Sequence, residues 1–304
     1  MSSKTWADRL VDPRSPDRRP RRAAYALPTM FTAGNVYLGF YALLETFQGS
    51  MDMATGGQAA AAGHFQTAAI SIGVSVFLDG LDGRIARMTN TVSEFGREMD
   101  SLADSMTFGI APAVLAFAWG VQFVDPFTNH VLLENLKRAG YLLAFLYLLC
   151  GAARLARFNI QKNPIPKNPG RPDRKYFVGM PIPSAASAVS AVVFAAGGDP
   201  VHNWLISALW LALMGLLAFL MVSTWRYPSF KDLSLTKPRS PLSVILIGAL
   251  IYIVWTFTKP VLLVLAIAYV GSGIAIRIGG LVRRWLRPPP PPQLPAQEVE
   301  QPLG

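Results

Sequence analysis

Residues 79–104 read DGLDGRIARMTNTVSEFGREMDSLAD, a polar stretch in an otherwise apolar chain. Asp79 and Asp82 are three residues apart and Asp100 and Asp104 are four apart, so on helices each pair shares one face. Four converging carboxylates repel one another and are costly to desolvate, so they need counter-ions. Hard oxygen ligands suit Mg²⁺ or Mn²⁺ better than zinc. The stretch therefore predicts a site for two divalent ions between two helices.

The residues between the acids favour a ligand beside them. Gly83 and Gly96 each lie four residues from an aspartate, and Ala86 lies one turn beyond another. Small residues at such positions let a ligand or a second backbone come close. Arg87 offers a planar fork of donors to a phosphate. A solvated charged loop between two helices is the plainer alternative, but the acids fall at helical spacing beside long apolar runs.

The complete pattern is D-x2-D-G-x2-A-R-x8-G-x3-D-x3-D, with every specified position filled. In this pattern the chain resembles the CDP-alcohol phosphatidyltransferases, whose signature it is. The resemblance implies that Asp79, Asp82 and Asp100 hold the metals, with Asp104 as a further ligand or a neighbour. It also supports Asp104 as the general base that accepts the proton of the acceptor hydroxyl. The residues expected beside the nucleotide and its phosphates are Gly83, Ala86, Gly96 and Arg87.

Composition indicates a membrane protein. Of 304 residues, 52% are hydrophobic and only 15% are charged. The single cysteine, Cys150, lies in an apolar run, so no internal disulfide is possible. The net charge of +10 is dispersed over loops between apolar segments, which fits membrane orientation and anionic lipid headgroups better than nucleic acid.

Apolar segments predict an all-α, polytopic helical bundle with about eight transmembrane helices, six or seven being the alternative. The segments are residues 30–48, 65–86, 102–122, 139–153, 182–197, 204–224, 242–257 and 261–278. The outer loop 49–63 is predicted to be a plain connector, with His64 a boundary residue rather than a ligand.

Four regions follow from this pattern. Residues 1–24 form a basic N-terminal arm, 25–225 the membrane domain that carries the family resemblance, and 226–286 an additional C-terminal helical hairpin. Residues 287–304 begin with a proline run and form an extended, disordered tail.

The distribution of Lys and Arg predicts the orientation. Of 28 basic residues, 25 fall on one side of the predicted spans, which leaves only Lys137, Arg138 and Lys259 outside. Both termini and the acidic stretch are therefore expected on the cytoplasmic side of the cell (inner) membrane. His130 and His202 fall on the outer side, too far from the acids to join them.

Three further blocks narrow the resemblance. They are PTMFTAGN at 28–35, ARLARFN at 153–159 and FVGMPIP at 177–183. Together they look like the integral-membrane phosphatidylserine synthases of bacteria and archaea. This resemblance implies CDP-diacylglycerol and L-serine as substrates and a homodimer as the assembly.

The acceptor must be recognised by other residues than the acids. Arg154 and Arg157 lie three apart at the cytoplasmic end of a span with Asn159 beside them, so they are candidates to bind the serine carboxylate. The alternative is that these arginines only anchor the helix at headgroups. Asn35 is a candidate for a hydrogen bond to CDP-diacylglycerol or for a plain interhelical bond. Gly179 is expected to shape a backbone turn.

Two other functions compete with serine transfer. The same chemistry on glycerol 3-phosphate or an inositol phosphate would call for a denser basic pocket. A divalent-cation transporter would need acids on several spans through the bilayer depth, whereas here they lie within 26 residues near one face.

Overall fold

The computed structural model describes residues 22–89, 94–125, 129–161, 176–228 and 256–285. These ranges contain eight α-helices, one π-helical segment and a two-stranded antiparallel ribbon. The helices are α1 (Arg22–Ala54), α2 (Gln58–Thr89), α3 (Glu94–Asp104), α4 (Ala111–Gly120), α5 (His130–Gln161), α6 (Ile182–Ala195), α7 (Trp204–Val222) and α8 (Thr258–Trp285). The π-helical segment is Ser105–Ile110, and the strands are β1 (Tyr176–Val178) and β2 (Arg226–Pro228).

The predicted helical membrane bundle is confirmed. In the described ranges, five helical stretches are long and apolar enough to cross a membrane, and α6 is a shorter apolar helix. Seven of the eight predicted apolar segments fall in helices of this part of the chain. Residues 242–255 lie outside it, so the count of eight stays a prediction.

The predicted connector at 49–63 is wrong, because most of it is helical. Helix α1 continues to Ala54 and α2 begins at Gln58, so only Thr55–Gly57 form the turn. Gly56 has a φ of +86°, which a glycine adopts without strain. The alanines that follow are the best helix formers, so α2 starts immediately after the turn.

Local sequence explains where several helices begin. Pro181 precedes α6 and a second proline lies in its first turn, where a missing N–H costs nothing. The Asn203 side chain caps α7 by accepting a hydrogen bond of 2.8 Å from the Leu205 N–H. Asn129 does the same for α5 through the Val131 N–H at 3.0 Å.

The helices pack as neighbouring pairs around an apolar core. Helix α1 lies along α2, α5 lies on α7, and α6 contacts both α2 and α8. Fully buried side chains in this core include Phe65, Phe108, Leu115 and Met214. Large apolar side chains such as Tyr37, Phe145, Leu209 and Val264 are exposed, as expected of helix faces that contact lipid.

The loops gather at two ends of the bundle. At one end, the main chain of Val201 bonds to that of Trp119, and His202 contacts Gln58 at the start of α2. Asp79 lies 21 residues further along α2, which corresponds to about 30 Å at the helical rise. His202 is therefore remote from the acids, as predicted.

His64 lies near the same end as His202. Its ring is 2.7 Å from the Glu45 carboxylate and 3.3 Å from that of Asp52, so it bridges α1 and α2. His64 therefore lies inside α2 and not at the predicted boundary, because α2 already begins at Gln58.

Helix α6 is short for a membrane-spanning helix. It has 14 residues, a length of about 21 Å, whereas the hydrocarbon core of a bilayer is about 30 Å thick. Its C-terminal end lies by the start of α8, since the Lys259 ammonium lies over the Phe194 ring. The first residue of α6, Ile182, is buried, and the buried residues Gly179 and Met180 lie just before it in the chain.

Candidate active site

Three of the four aspartates of the acidic stretch come together. Asp79 projects from α2, and Asp100 and Asp104 project from successive turns of α3. One carboxylate oxygen from each lies within 4.8 Å of the other two. Asp79 and Asp100 are half-buried, and Asp104 is only 8% exposed. The structure thus places these carboxylates at one point between two helices.

The remaining residues of the pattern lie on the same two helices. Gly96 is in the first turn of α3, one turn before Asp100. The backbone of α2 includes four further positions whose side chains fall outside the described part of the chain. These positions are Asp82, Gly83, Ala86 and Arg87.

The donor set of this cluster fits a hard divalent cation. All three groups are carboxylates, with no sulfur or imidazole ligand among them. Two oxygens bound to one Mg²⁺ at 2.0–2.1 Å can be no more than about 4.2 Å apart. The three observed oxygens, all within 4.8 Å of one another, are close enough together to be candidate ligands of a shared ion.

A π-helical turn follows Asp104 directly. Residues Ser105–Ile110 adopt it, and such turns often occur at functional sites. The Thr107 hydroxyl donates a hydrogen bond of 3.0 Å to the main-chain carbonyl of Asn35 in α1. The Tyr147 hydroxyl donates one of 3.3 Å to the Phe108 carbonyl. The turn that carries the last aspartate is therefore fixed from both α1 and α5.

Asn35 is almost wholly buried, with 2% of its surface exposed. Its main-chain carbonyl makes the interhelical bond to Thr107, whereas its side-chain Oδ1 has no hydrogen-bond partner within the described structure. Buried amide oxygens normally have one. The contact between α1 and the π-helical turn thus does not use this side-chain oxygen.

Asn159 supports the acidic helix. Its Nδ2 donates a hydrogen bond of 2.9 Å to the Ser101 hydroxyl, which lies between Asp100 and Asp104 in α3. The Ser101 hydroxyl in turn donates to the main-chain carbonyl of Arg97. The end of α5 is thereby joined to the turn that presents two of the acids.

The two predicted arginines have different surroundings. Arg157 donates from both terminal nitrogens to main-chain carbonyls, at 3.3 Å to Val222 and 3.2 Å to Val178. Arg154 donates one bond of 3.3 Å to the Gly179 carbonyl, and its buried Nε has no partner in the described ranges. Arg154 also lies close enough to Asp104 for electrostatic attraction. Arg157 therefore joins β1 to the end of α7, whereas Arg154 contacts the Gly179 turn and lies near Asp104.

Gly179 forms the expected backbone turn. Its φ is +77°, and a Cβ there would lie 2.8 Å from the Met221 carbonyl oxygen and 2.9 Å from that of Ser223. The Gly179 N–H donates to the Trp225 carbonyl at 2.8 Å. This turn presents the carbonyl that Arg154 contacts.

Tyrosines that the sequence did not single out also lie near Arg154. Tyr269 of α8 hydrogen-bonds to Ser184 and lies near Arg154. Tyr227 of β2 is fully buried beside Tyr269. Its burial, and to a smaller extent the neighbouring Tyr269, raises the pKa of Tyr227 to about 12. No local pattern predicts these contacts, because they join residues more than 30 positions apart.

Comparison with known proteins agrees with the site. The CDP-alcohol phosphatidyltransferase family matches residues 25–222. The CDP-diacylglycerol--serine O-phosphatidyltransferase of Helicobacter pylori (strain 26695) is 36% identical over 215 residues, 70% of this chain and 76% of the relative. The protein of that name from Bacillus subtilis is 33% identical over 205 residues, 67% of this chain and 91% of the relative.

A eukaryotic relative matches over a shorter range. The Saccharomyces cerevisiae protein of the same name is 36% identical over 161 residues, 53% of this chain and 50% of its own length. The family match includes the acidic stretch, Arg154 and Gly179, and ends at the last residue of α7. The chain belongs to the CDP-alcohol phosphatidyltransferase family.

Proposed function

We propose that this protein transfers the phosphatidyl group of CDP-diacylglycerol to the hydroxyl of L-serine, with phosphatidylserine and CMP as products. The observation that carries the proposal is the meeting of Asp79, Asp100 and Asp104 beside Arg154, in a chain similar to serine O-phosphatidyltransferases. Carboxylates that hold cations can neutralise the pyrophosphate, and a partly buried guanidinium can bind an acceptor that carries a carboxylate.

Asp79, Asp82 and Asp100 would hold the metal ions, with Asp104 as a ligand or neighbour. Two Mg²⁺ or Mn²⁺ ions would neutralise the pyrophosphate and stabilise the attacking and leaving oxygens of the displacement. The helices themselves hold the three clustered carboxylates together, because two of them share a face of α3 and the third comes from the adjacent α2.

Asp104 is the proposed general base. It is the most buried of the three clustered acids and directly precedes the π-helical turn, which fixes its position. It accepts the proton of the serine hydroxyl while the serine oxygen bonds to the β-phosphorus of CDP-diacylglycerol, the one that carries diacylglycerol. The bond between this phosphorus and the bridging oxygen breaks, and CMP leaves with its electron pair.

Arg154 is the proposed partner of the serine carboxylate. Its Nε–H is a buried donor without a protein partner in the described structure, and it lies near Asp104, where the hydroxyl must react. Arg157 and Asn159 are proposed to support the structure around the acceptor site without contacting serine, because their donors contact Val178, Val222 and Ser101.

The nucleotide and the lipid phosphates are proposed to contact residues other than Arg154. Asn35 provides a buried amide oxygen for a donor of the ligand. Gly96 leaves space one turn before Asp100. The further residues proposed to border CDP-diacylglycerol are Gly83, Ala86 and Arg87.

Eight crossings, with both termini cytoplasmic, are the proposed topology. Strand β2 lies at the end of the bundle that holds Gly179, whereas Lys259 at the start of α8 lies at the opposite end. The chain between them must therefore pass from one end to the other, which supports a crossing at 242–257. The excess of Lys and Arg favours the inner membrane with the acids on the cytoplasmic side.

A homodimer is part of the proposal and rests on the family resemblance. Region 226–286 is proposed as an additional hairpin on the membrane domain, with the basic arm and the proline-rich tail at either end of the chain. The exposed apolar faces of α1, α5 and α8 are available to lipid or to a second protomer.

Product identification tests the function. Purified protein is incubated with CDP-diacylglycerol and with L-serine, glycerol 3-phosphate or an inositol phosphate in parallel, and the lipid product is identified by mass spectrometry. We expect phosphatidylserine and an equal amount of CMP from serine. A phosphorylated glycerol or inositol lipid would reassign the acceptor, and metal uptake into vesicles without any lipid product would favour a transporter.

A further inference from the structure

Helix α8 lies beyond the part of the chain that matches the family, yet it contributes to the proposed acceptor site. The family match ends at residue 222, and α8 spans Thr258–Trp285. Tyr269, in the middle of α8, is half-buried and lies near Arg154. Its hydroxyl also hydrogen-bonds to Ser184 of α6. Polar side chains from α5, α6 and α8 therefore lie close together near the start of α6.

These side chains suit a carboxylate. Arg154 provides N–H donors, and the Tyr269 hydroxyl, whose oxygen accepts the hydrogen bond from Ser184, can donate its one proton to a ligand. Ser184 lies in the first turn of α6, where the helix dipole adds partial positive charge. The guanidinium is attracted by Asp104, so a ligand held here lies beside the proposed general base.

Tyr269 is held in place from the cytoplasmic side. The Tyr227 ring packs on it, with ring centroids 5.5 Å apart at a tilt of 34°. Gly273, one turn further along α8, makes room for Tyr227, because a Cβ there would lie 2.6 Å from the Tyr227 hydroxyl oxygen. Tyr227 pairs with Phe177 across the ribbon, and β1 leads directly into Gly179, the contact of Arg154.

We propose that Tyr269 is an acceptor-positioning residue, whose hydroxyl works with Arg154 and Ser184 to bind the carboxylate of the amino-acid acceptor. This inference rests on the proposed serine transfer and assigns part of the specificity to a helix outside the family match. Removing the hydroxyl weakens binding of the carboxylate but leaves the acids and the nucleotide side unchanged.

The test is Tyr269→Phe, which removes only the hydroxyl. L-serine is compared with L-serinamide, in which an uncharged amide replaces the carboxylate. We expect the KM for serine to rise about three- to tenfold, as for a lost hydrogen bond, with kcat and the KM for CDP-diacylglycerol within about twofold. The ratio of kcat/KM for serine to kcat/KM for serinamide should fall by a similar factor.

Tyr141→Phe is the matched control. Tyr141 lies on α5 with 64% of its surface exposed and stacks on Phe117, away from Arg154. Loss of its hydroxyl should change neither KM nor the preference between the two acceptors.

Ser184→Ala provides a second variant if Tyr269→Phe yields too little folded protein, and the same narrowing of preference is expected. If the ratio of kcat/KM for serine to kcat/KM for serinamide is unchanged in Tyr269→Phe, the inference is overturned. The same holds for Ser184→Ala where that variant is used instead. The function would still stand if wild-type protein makes phosphatidylserine. Absence of phosphatidylserine from the wild type would overturn both.

Discussion

The Thr107 hydroxyl donates a 3.0 Å hydrogen bond to the carbonyl of Asn35 and thereby fixes α1 to the π-helical turn after Asp104. Gly39, one turn further along α1, faces the same threonine. The position of the proposed general base therefore depends on a close approach of two backbones, which only a glycine at this point of α1 allows.

Gly39→Ala tests this approach. The added Cβ would lie 2.5 Å from Thr107 Oγ1 and 2.8 Å from Thr107 Cα, and a backbone atom cannot move away easily. We expect overpacking to cost about 1–3 kcal/mol, seen as a lower thermal midpoint in detergent, together with a marked loss of turnover. The control is Gly73→Ala in α2, where nothing lies within 4 Å of the new Cβ. Equal behaviour of the two variants would contradict the close approach.

Removal of single carboxylates tests the metal site. Asp79→Asn and Asp100→Asn should each weaken Mn²⁺ binding by at least tenfold, because each replaces a charged ligand by a neutral one. Electron paramagnetic resonance of free Mn²⁺ during titration measures this without any turnover. Asp199→Asn, at an exposed position near the opposite end, should bind Mn²⁺ like the wild type. Undiminished binding by both active-site variants would place the ions elsewhere.

The two arginines should respond differently to substitution. Arg154→Ala should raise the KM for serine about ten- to hundredfold, the effect of losing a charge-assisted bond worth about 1.5–3 kcal/mol. Arg154→Lys should recover only part of the lost affinity for serine, because an ammonium does not reproduce the planar fork of donors of a guanidinium.

Arg157→Ala should instead lower the amount of folded protein while the KM for serine stays level, because this side chain joins main-chain carbonyls of β1 and α7. Steady-state kinetics with each substrate varied in turn, alongside the yield from gel filtration, separates the two effects. A rise in the KM for CDP-diacylglycerol alone would move Arg154 to the lipid phosphates.

Thiol labelling tests the topology. In a Cys150→Ser background, a cysteine at Thr55 lies in the turn between α1 and α2 and should react with an impermeant reagent in intact cells. A cysteine at Pro169, on the side rich in Lys and Arg, should react only after the membrane is permeabilised. The reverse labelling pattern would invert the orientation.

Local sequence was sufficient for the elements whose signals are local. The spacing of the four aspartates and the long apolar runs predict two acid-bearing helices within a membrane bundle, and Asp79, Asp100 and Asp104 do meet. Gly179 with its neighbouring prolines predicts a turn, and its φ is positive. These features depend on residues a few positions apart, whose geometry the backbone fixes directly.

The remaining features depend on distant residues. The ribbon joins Phe177 to Tyr227 through two strands of three residues each, too short for any period-two pattern to be evident. Tyr269 reaches Arg154 only because α8 packs on α6. The sequence wrongly predicts a connecting loop at 49–63, because the small and polar residues there resemble those of a loop. Packing of α1 on α2 keeps both helices regular across most of this range.

Metal-dependent formation of phosphatidylserine tests the central claim most directly. Purified protein, freed of divalent ions with EDTA, is given CDP-diacylglycerol and labelled L-serine, and phosphatidylserine is measured before and after Mg²⁺ or Mn²⁺ is restored. We expect no product in EDTA, recovery of activity on restoring either ion, and one CMP released for each phosphatidylserine. Full activity in EDTA would contradict the assignment of the aspartates, and CMP release without phosphatidylserine would contradict serine as the acceptor.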